Sequence, residues 1–162
     1  MPASESELFE RLGRLGIETQ TKRHAPMFTV EDAKALRGDM PGGHCKSLFL
    51  KDKKGALWLA VMLEDKQLDL KALQAKLGSA RLSFARPELM RDVLGVEPGS
   101  VTPFAVINPS AEAVRVVLDS AMLAHDPLNY HPLGNQATTA IAPDDLLTYL
   151  QDCGHQPMII AL

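Results

Sequence analysis

The segment GVEPGSVTPFAVINP, residues 95–109, combines stiff turn residues with an apolar run and carries almost no charge. Surface loops are usually polar, because their backbone groups face water. A loop made of small and rigid residues can instead let backbone amides approach a ligand. The alternative interpretation is a tight connection between a helix and a strand.

Four further polar residues lie where turns lead into apolar runs. Lys46 directly precedes the run SLFL, and His131, Asn135 and Thr138 lie within NYHPLGNQATTAI. Their positions at the entrances of predicted strands suit a binding site. Each also has an ordinary structural explanation: a lone histidine is usually a hydrogen-bonded structural residue, Asn135 suits a turn, and Thr138 is a common strand residue.

The sequence gives little support for the common arrangements of catalytic residues. His44 and Cys45 are adjacent and the other candidate zinc ligands are scattered, so we expect no metal, and no glycine-rich phosphate loop indicates a nucleotide cofactor. Cys45 with His131 could form a thiol-dependent hydrolase, but a lone cysteine beside a strand is more often a small packed residue. No nucleophile-elbow motif supports a serine triad, and Asp144 and Asp145 are explained by the start of a helix.

Length and composition predict one domain spanning residues 1–162. The chain is 46% hydrophobic and 23% charged, and its 162 residues can bury a core without disulfides. It has no apolar run of ~20 residues, so we expect no membrane span. Its N-terminus is acidic, so we expect no signal peptide. We expect a cytoplasmic location. The net charge of -3 argues against a general nucleic-acid binder, although one local patch holds Lys46, Lys51, Lys53 and Lys54.

Hairpins interleaved with helices predict an α+β fold with a mixed sheet. Spacing and end signals predict helices at 5–15, 30–36, 68–77, 87–94 and 143–150. Apolar runs between turns predict strands at 47–50, 56–63, 81–84, 104–107, 114–118 and 138–141, and a buried strand at 157–162. The lysines at 51, 53 and 54 fall in the turn between the first two strands.

Four blocks in order along the chain resemble the YbaK-type aminoacyl-tRNA deacylases, which include free-standing prolyl-tRNA editing proteins and the editing insertion of bacterial prolyl-tRNA synthetase. The blocks are HAPMFTVEDA (24–33), KSLFLKDKKGALWL (46–59), LSFARPELMRDVLGVEPGSVTPF (82–104) and HPLGNQATTAI (131–141). Their ordered combination is specific, whereas no single block would be. The chain is most similar to the editors that remove alanine mischarged on proline tRNA. The resemblance implies a central mixed, largely antiparallel sheet flanked by helices.

The resemblance also implies a hydrolytic site without metal or cofactor, with Lys46, Gly99 and His131 as catalytic residues. The family's Gly-x-x-x-Pro loop, matched by Gly99 and Pro103, would stabilise the oxyanion of an ester under attack by water. Lys46 would bind the terminal phosphate or ribose of the tRNA, because its attack on the ester would give a stable amide. A ribose hydroxyl of the substrate would then position or activate the water.

The resemblance further implies a pocket that accepts alanine and is too small for proline. A synthetase excludes the smaller amino acid poorly, since missing methylenes are worth only about 1–3 kcal/mol. The implied substrate-binding residues are Met27, Phe28, Thr29, Ser47, Val101, Thr102, Pro103, Asn135 and Thr138. Met27, Phe28 and Thr29, with Val101 and Thr102, are the candidate walls.

Two positions depart from the family pattern: Ser47 replaces the usual asparagine, and Ala105 replaces the usual glycine. The first bears on the polar contacts and the amino-acid preference, and the second on packing. The sequence leaves open whether alanine, cysteine or serine is preferred, the oligomeric state, and the tRNA bases recognised. It also leaves open a non-catalytic module that holds aminoacyl-tRNA or a nucleotide beside a synthetase. The expected partners are the acceptor end of tRNA(Pro) and, as helpers for weak tRNA binding, prolyl-tRNA synthetase or an elongation factor.

Overall fold

The computed structural model describes residues 2–26, 29–36 and 40–162. Its helices are α1 (Glu5–Arg14), α2 (Val30–Leu36), α3 (Leu70–Leu77), α4 (Pro87–Val93) and α5 (Pro143–Asp152). Its strands are β1 (Thr19–Arg23), β2 (Gly43–Asp52), β3 (Leu57–Leu63), β4 (Leu82–Phe84), β5 (Val114–Asp119), β6 (Leu128–Tyr130), β7 (Ala137–Ile141) and β8 (Met158–Ile160). None of the helices formed by these residues is both long and apolar enough to cross a bilayer.

The strands form a mixed sheet in the order β1-β7-β6-β2-β3-β5-β8, and β4 pairs with β2 outside this path. Four pairs are antiparallel: β1–β7, β6–β7, β2–β3 and β2–β4. Three pairs are parallel: β2–β6, β3–β5 and β5–β8. The predicted fold class, a single α+β domain with a mixed and mainly antiparallel sheet, is confirmed.

Each face of the sheet carries its own hydrophobic cluster, because side chains alternate along a strand. In β3, Leu59 and Val61 face the larger cluster, which α1 and α5 cover. Trp58 and Met62 face the smaller cluster, which α3 covers through Leu73. The sheet is therefore covered on both faces.

Residues at the helix ends explain why the five helices begin and end within two residues of the predicted bounds. Ser4 and Glu7 form a reciprocal capping box at the start of α1. Asp69 caps α3 through its side chain, and Gly78 ends this helix with a φ of 65°, a left-handed conformation that glycine adopts without strain. Both α4 and α5 begin with a proline, whose fixed φ suits a first helical turn.

Four parts of the chain differ from the prediction. Pro103–Ile107, predicted as a strand from residue 104, is a 3-10 helix. Pro103 begins this helix, and the Thr102 hydroxyl caps it by accepting a hydrogen bond from the amide of Phe104. The last strand, β8, was predicted to be buried but lies at the sheet edge with Met158 41% and Ile159 46% exposed. Neither β1 nor β6 was predicted, because β1 has mostly exposed polar side chains and β6 has only three residues.

Tyr149 joins α5 to the 3-10 helix that follows the loop 99–103. Its buried hydroxyl donates to the carbonyl of Phe104 at 2.7 Å. The two rings lie edge to face with their centroids 5.5 Å apart, and Phe104 makes a similar contact with Tyr130 at 5.9 Å. These contacts fix the end of the loop to the larger cluster.

We predict that Tyr149→Phe lowers the free energy of unfolding by about 1 kcal/mol, because it removes the hydrogen bond and keeps the ring contacts. Thr148→Ala is the matched control, since it removes an exposed hydroxyl at the neighbouring position and should cost less. Urea unfolding measures both variants. Equal midpoints for Tyr149→Phe and the unsubstituted chain would contradict a stabilising role for this bond.

Candidate functional site

The edge of β2 that faces away from β3 is shared by two short strands. Gly43 and His44 pair with β6 at the start of β2, and Leu50–Asp52 pairs with β4 at its end. Within the described ranges, no strand pairs with residues 45–48 on this edge. We call this opening, residues 45–48 between β6 and β4, the β2 gap.

Lys46 lies in the β2 gap and is half-buried. Its ammonium donates to the backbone carbonyl of Lys66, in the segment between β3 and α3. The carbonyl holds the charged end of the side chain close to the protein surface, on the face of the smaller cluster. A phosphate or hydroxyl that enters here would meet a cation already placed by the fold.

The strand register places three predicted site residues on one face of the sheet. His44 is opposite Asn129 in the parallel β2–β6 pair, so these two side chains share a face. Residues two positions apart in a strand point the same way. Lys46 and His131, each two residues further along, are therefore directed to that face. Tyr130 is opposite Thr139 in the antiparallel β6–β7 pair, so Thr138 follows beside His131. Residues that lie far apart in the sequence are thus brought to one region.

His131 is held as a neutral hydrogen-bonding group. Burial lowers its pKa from the usual 6.5, a bond to the Ala137 carbonyl acts in the opposite direction, and the neighbouring His24 lowers it further. The ring atom Nδ1 lies 3.2 Å from that carbonyl, which can only accept, so Nδ1 carries the proton. In the neutral ring, Nε2 is then left as an acceptor.

His24 contacts two predicted site residues, Thr138 and His131, although the sequence analysis did not single it out. Its Nε2 lies 2.8 Å from the Thr138 hydroxyl, and its Nδ1 lies 2.8 Å from the Ala25 carbonyl. Its ring meets that of His131 edge to face, with the centroids 6.5 Å apart. The signal was present, since His24 is the first residue of the block HAPMFTVEDA.

The loop 99–103 is fixed at one end and exposed at the other. Gly99 is exposed with a φ of 89°, which favours glycine, and Val101 is half-buried. Thr102 and Pro103 are buried, and the Thr102 hydroxyl accepts from the amide of Phe104 at 3.3 Å. The side chain of Thr102 therefore supports the loop, while its contact with substrate and the use of the loop amides stay predictions.

The other predicted substrate contacts lie in three different settings. Ser47 follows Lys46 in β2, so its side chain points to the opposite face of the sheet. Asn135 is half-buried in the turn before β7, and Thr29 is exposed and accepts a bond from the Asp32 amide at 3.0 Å. The predicted walls Met27 and Phe28 lie outside the described residues.

Burial makes Cys45 an unsuitable nucleophile. It raises the pKa of the thiol to about 12, so the reactive thiolate is scarce at neutral pH. This disfavours the thiol-dependent hydrolase that the sequence left open. No three His, Cys, Asp or Glu side chains in the described part of the chain come together as metal ligands. Independence from metal stays a prediction.

A second feature, which we call the basic groove, runs along β4 and α4 and encloses about 1080 Å³. Its exposed cations are Lys51, Lys53, Arg81 and Arg86. Its acidic members are the exposed Glu88 and Asp92 and the buried Asp52, whose carboxylate accepts backbone amide bonds. The exposed ring of Phe84 also lines the groove. Lys53 and Lys54 lie in the turn between β2 and β3, as predicted, but Lys51 lies in β2, because the strand continues to Asp52.

We predict that NMR titration places the midpoint of His131 below pH 6.5, because burial lowers its pKa. His24→Gln, which removes the electrostatic influence of the neighbouring imidazole, should raise this midpoint. In the unfolded chain the pKa of His131 returns to its usual value, so stability contributed by the neutral ring is lost as the pH falls below about 6.5. A midpoint above 6.5 in the unsubstituted chain would contradict the buried setting of the ring.

The chain is similar to known proteins over most of its length. A family model described as the aminoacyl-tRNA editing domain matches residues 24–149, which begin at His24 and include the β2 gap, the loop 99–103 and His131. "Prolyl-tRNA synthetase associated domain-containing protein 1" of Bos taurus is 39% identical over 158 residues, covering 94% of this chain and 92% of its own length. "Prolyl-tRNA editing protein ProX" of Acetoanaerobium sticklandii is 34% identical over 137 residues, covering 84% of each chain.

A solved structure shares the whole fold. It is described as "Crystal structure of a putative trans-editing enzyme for prolyl tRNA synthetase" and aligns with a TM-score of 0.73 at 22% identity. The alignment covers 99% of this chain and 97% of the other. The sheet and its flanking helices are therefore common to the two proteins.

Proposed function

Because the chain belongs to the aminoacyl-tRNA editing domain family, we propose that it hydrolyses the ester bond of mischarged Ala-tRNA(Pro) in trans. The observation that carries the proposal is the β2–β6 register, which directs Lys46 in the β2 gap and His131 directly after β6 to one face of the sheet. The names of two relatives, a prolyl-tRNA editing protein and a prolyl-tRNA synthetase associated protein, support proline tRNA as the carrier.

Lys46 binds the end of the tRNA in this proposal. The substrate phosphate or ribose replaces or joins the Lys66 carbonyl as the partner of the ammonium. The amine is not the nucleophile, because attack on an aminoacyl ester would leave alanine on the lysine as a stable amide. Lys46 thus positions the ester beside the loop 99–103.

The bond-breaking step uses water. Its oxygen attacks the ester carbonyl carbon, and amides of the loop 99–103 stabilise the oxyanion that forms. The neighbouring ribose hydroxyl positions or activates the water, and the neutral His131 offers Nε2 as a hydrogen-bond acceptor. The bond from the carbonyl carbon to the ribose oxygen then breaks, the ribose oxygen takes a proton, and free alanine leaves. No metal or cofactor takes part.

Size exclusion selects the amino acid. Met27, Phe28 and Thr29, with Val101 and Thr102, form the walls of a pocket that alanine enters and proline does not. A synthetase site shaped for proline discriminates against alanine by only about 1–3 kcal/mol, so a second and smaller site supplies the missing selectivity. Ser47 points to the opposite face from Lys46, and its contact with the substrate stays a prediction.

The basic groove is the proposed contact for the acceptor end of the tRNA. Lys51, Lys53, Arg81 and Arg86 are exposed there and suit phosphate groups. The whole chain carries a net charge of -3, so the affinity for tRNA should be modest. We propose that the protein acts in the cytoplasm, with prolyl-tRNA synthetase or an elongation factor delivering the tRNA.

We predict that Lys46→Ala lowers the deacylation rate on Ala-tRNA(Pro) at least about 100-fold, because the ester loses the cation that positions it. Lys71→Ala is the matched control, since it removes an exposed lysine of α3 that the proposal does not use and should act like the unsubstituted protein. Near-normal turnover by Lys46→Ala would exclude the assigned role.

The unsubstituted protein tests two alternatives. If it binds Ala-tRNA(Pro) without turnover, the non-catalytic module is favoured. If its activity is lost in EDTA and restored by zinc, the site holds a metal.

We predict that wall truncation widens the range of accepted amino acids. Met27→Ala and Phe28→Ala should gain cleavage of Pro-tRNA(Pro) and keep part of their activity on Ala-tRNA(Pro), because the pocket becomes larger. Rates on Ala-, Ser- and Pro-charged tRNA(Pro) measure the ranking. The alternative is selection by hydrogen bonds to the α-amino group, which is primary in alanine and secondary in proline. In that case, wall truncation changes the rates on all three substrates alike. An unchanged ranking would therefore reject steric exclusion.

A further inference from the structure

Phe84 has the most exposed large hydrophobic side chain in the described part of the chain, at 62%. It lies in β4 opposite Leu50 of β2. The ring belongs to neither hydrophobic cluster, although its partner Leu50 is fully buried in the smaller one. Packing of the protein core therefore does not explain a phenylalanine at this position.

Phe84 shares a face of the sheet with Lys46. Lys46 and Leu50 are four residues apart in β2, so they point to the same face, and Phe84 follows Leu50 as its cross-strand partner. A strand rises about 3.3 Å per residue, which puts the level of Phe84 about 13 Å along β2 from Lys46. The exposed ring of Phe84 and the side chain of Lys46 therefore lie on the same face of the sheet.

The surroundings of Phe84 are those of a single-strand nucleic-acid site. The exposed cations Lys51, Lys53, Arg81 and Arg86 line the same groove. They outnumber the exposed acids Glu88 and Asp92, while the net charge of the whole chain is negative. Proteins that bind single strands without strong base preference combine a positive groove with an aromatic ring on which a base stacks.

We propose that Phe84 is a stacking platform for a base of the unpaired 3′ strand of the substrate RNA. This inference rests on the proposed function, because the esterified end of the strand is placed at Lys46. Stacked nucleotides rise about 3.4 Å each, so the base on Phe84 lies within about four nucleotides of the esterified one. Stacking on Phe84 holds the strand in the register that brings the ester to the β2 gap.

Steady-state kinetics on two substrates test the proposal. Phe84→Ala should raise KM for Ala-tRNA(Pro) by about 5- to 150-fold, the equivalent of the ~1–3 kcal/mol that one stacked base contributes. Phe84→Trp, which keeps a stacking surface, should restore the KM. Ile159→Ala is the matched control, because it removes an exposed apolar side chain from the far edge strand β8. The alanyl ester of adenosine, which lacks the strand, reports on the reaction centre alone.

A binding measurement gives a second readout that needs no activity. Uncharged RNA with 2-aminopurine at one of the last four positions should lose fluorescence on binding, and Phe84→Ala should abolish this quenching while Phe84→Trp retains it. If the unsubstituted protein hydrolyses neither ester but quenches the RNA, the proposed function fails and the stacking site stands.

Three results would overturn the assignment of Phe84. One is an unchanged KM with unchanged quenching in Phe84→Ala. Another is an equal loss on the adenosine ester, which would mean that Phe84 supports the reaction centre or the fold. The third is that Phe84→Ala abolishes self-association of the protein, measured by size-exclusion chromatography, while RNA binding stays intact. Phe84 would then form a protein contact instead.

Discussion

The candidate site depends on how the outer edge of β2 is shared between β6 and β4. Buried backbone groups need hydrogen-bond partners, and exposed strand edges are usually covered. Here the two covering strands come from residues 82–84 and 128–130, and each reaches only one end of β2. The opening between them is therefore a product of the topology and not of any local sequence. It places Lys46, on a stretch of strand edge that no described strand covers, on the same face as a second group of polar residues.

The alternation of side chains along β2 decides what a change next to Lys46 can do. Lys46 points to the face that carries His131 and Thr138, whereas Ser47 points to the face of the larger cluster. The replacement of the usual asparagine by Ser47 therefore leaves the face of Lys46, His131 and Thr138 unaltered. Ser47 instead points to the face of the larger cluster, against which Val101 of the loop 99–103 packs.

Much of the fold could be predicted because local signals and long-range packing agree in most elements. The capping residues of α1 and α3 and the lysine turn after β2 act within a few residues, so they are visible in the sequence. The 3-10 helix Pro103–Ile107 was missed because its apolar residues suit a strand equally well, and the buried contacts of Phe104 decide between the two. The polar β1 becomes a strand only because β7 supplies its partner.

The candidate site was less predictable from spacing than from the family resemblance. Lys46, His131 and Thr138 are separated by up to 92 positions, and only the pairings of β2, β6 and β7 bring them to one face. His24 was missed because its importance lies in two contacts that the sequence does not display, with Thr138 and with His131. A histidine at the end of a polar strand gives no such signal by itself.

Burial in this region favours uncharged groups, which bears on the chemistry the site can perform. It raises the pKa of Cys45 and lowers that of His131, so the thiol stays protonated and the imidazole stays neutral. Such groups bind and orient a substrate more readily than they attack it. An aminoacyl ester suits them, because it brings its own hydroxyl next to the reacting carbonyl. In the proposed reaction the chemistry then resides largely in the substrate, and the protein controls which acyl group can reach the water. In the proposal, catalysis depends on Lys46 and on backbone amides of the loop 99–103, whereas selection depends on side chains, and Val101 and Thr102 of the loop take part in both.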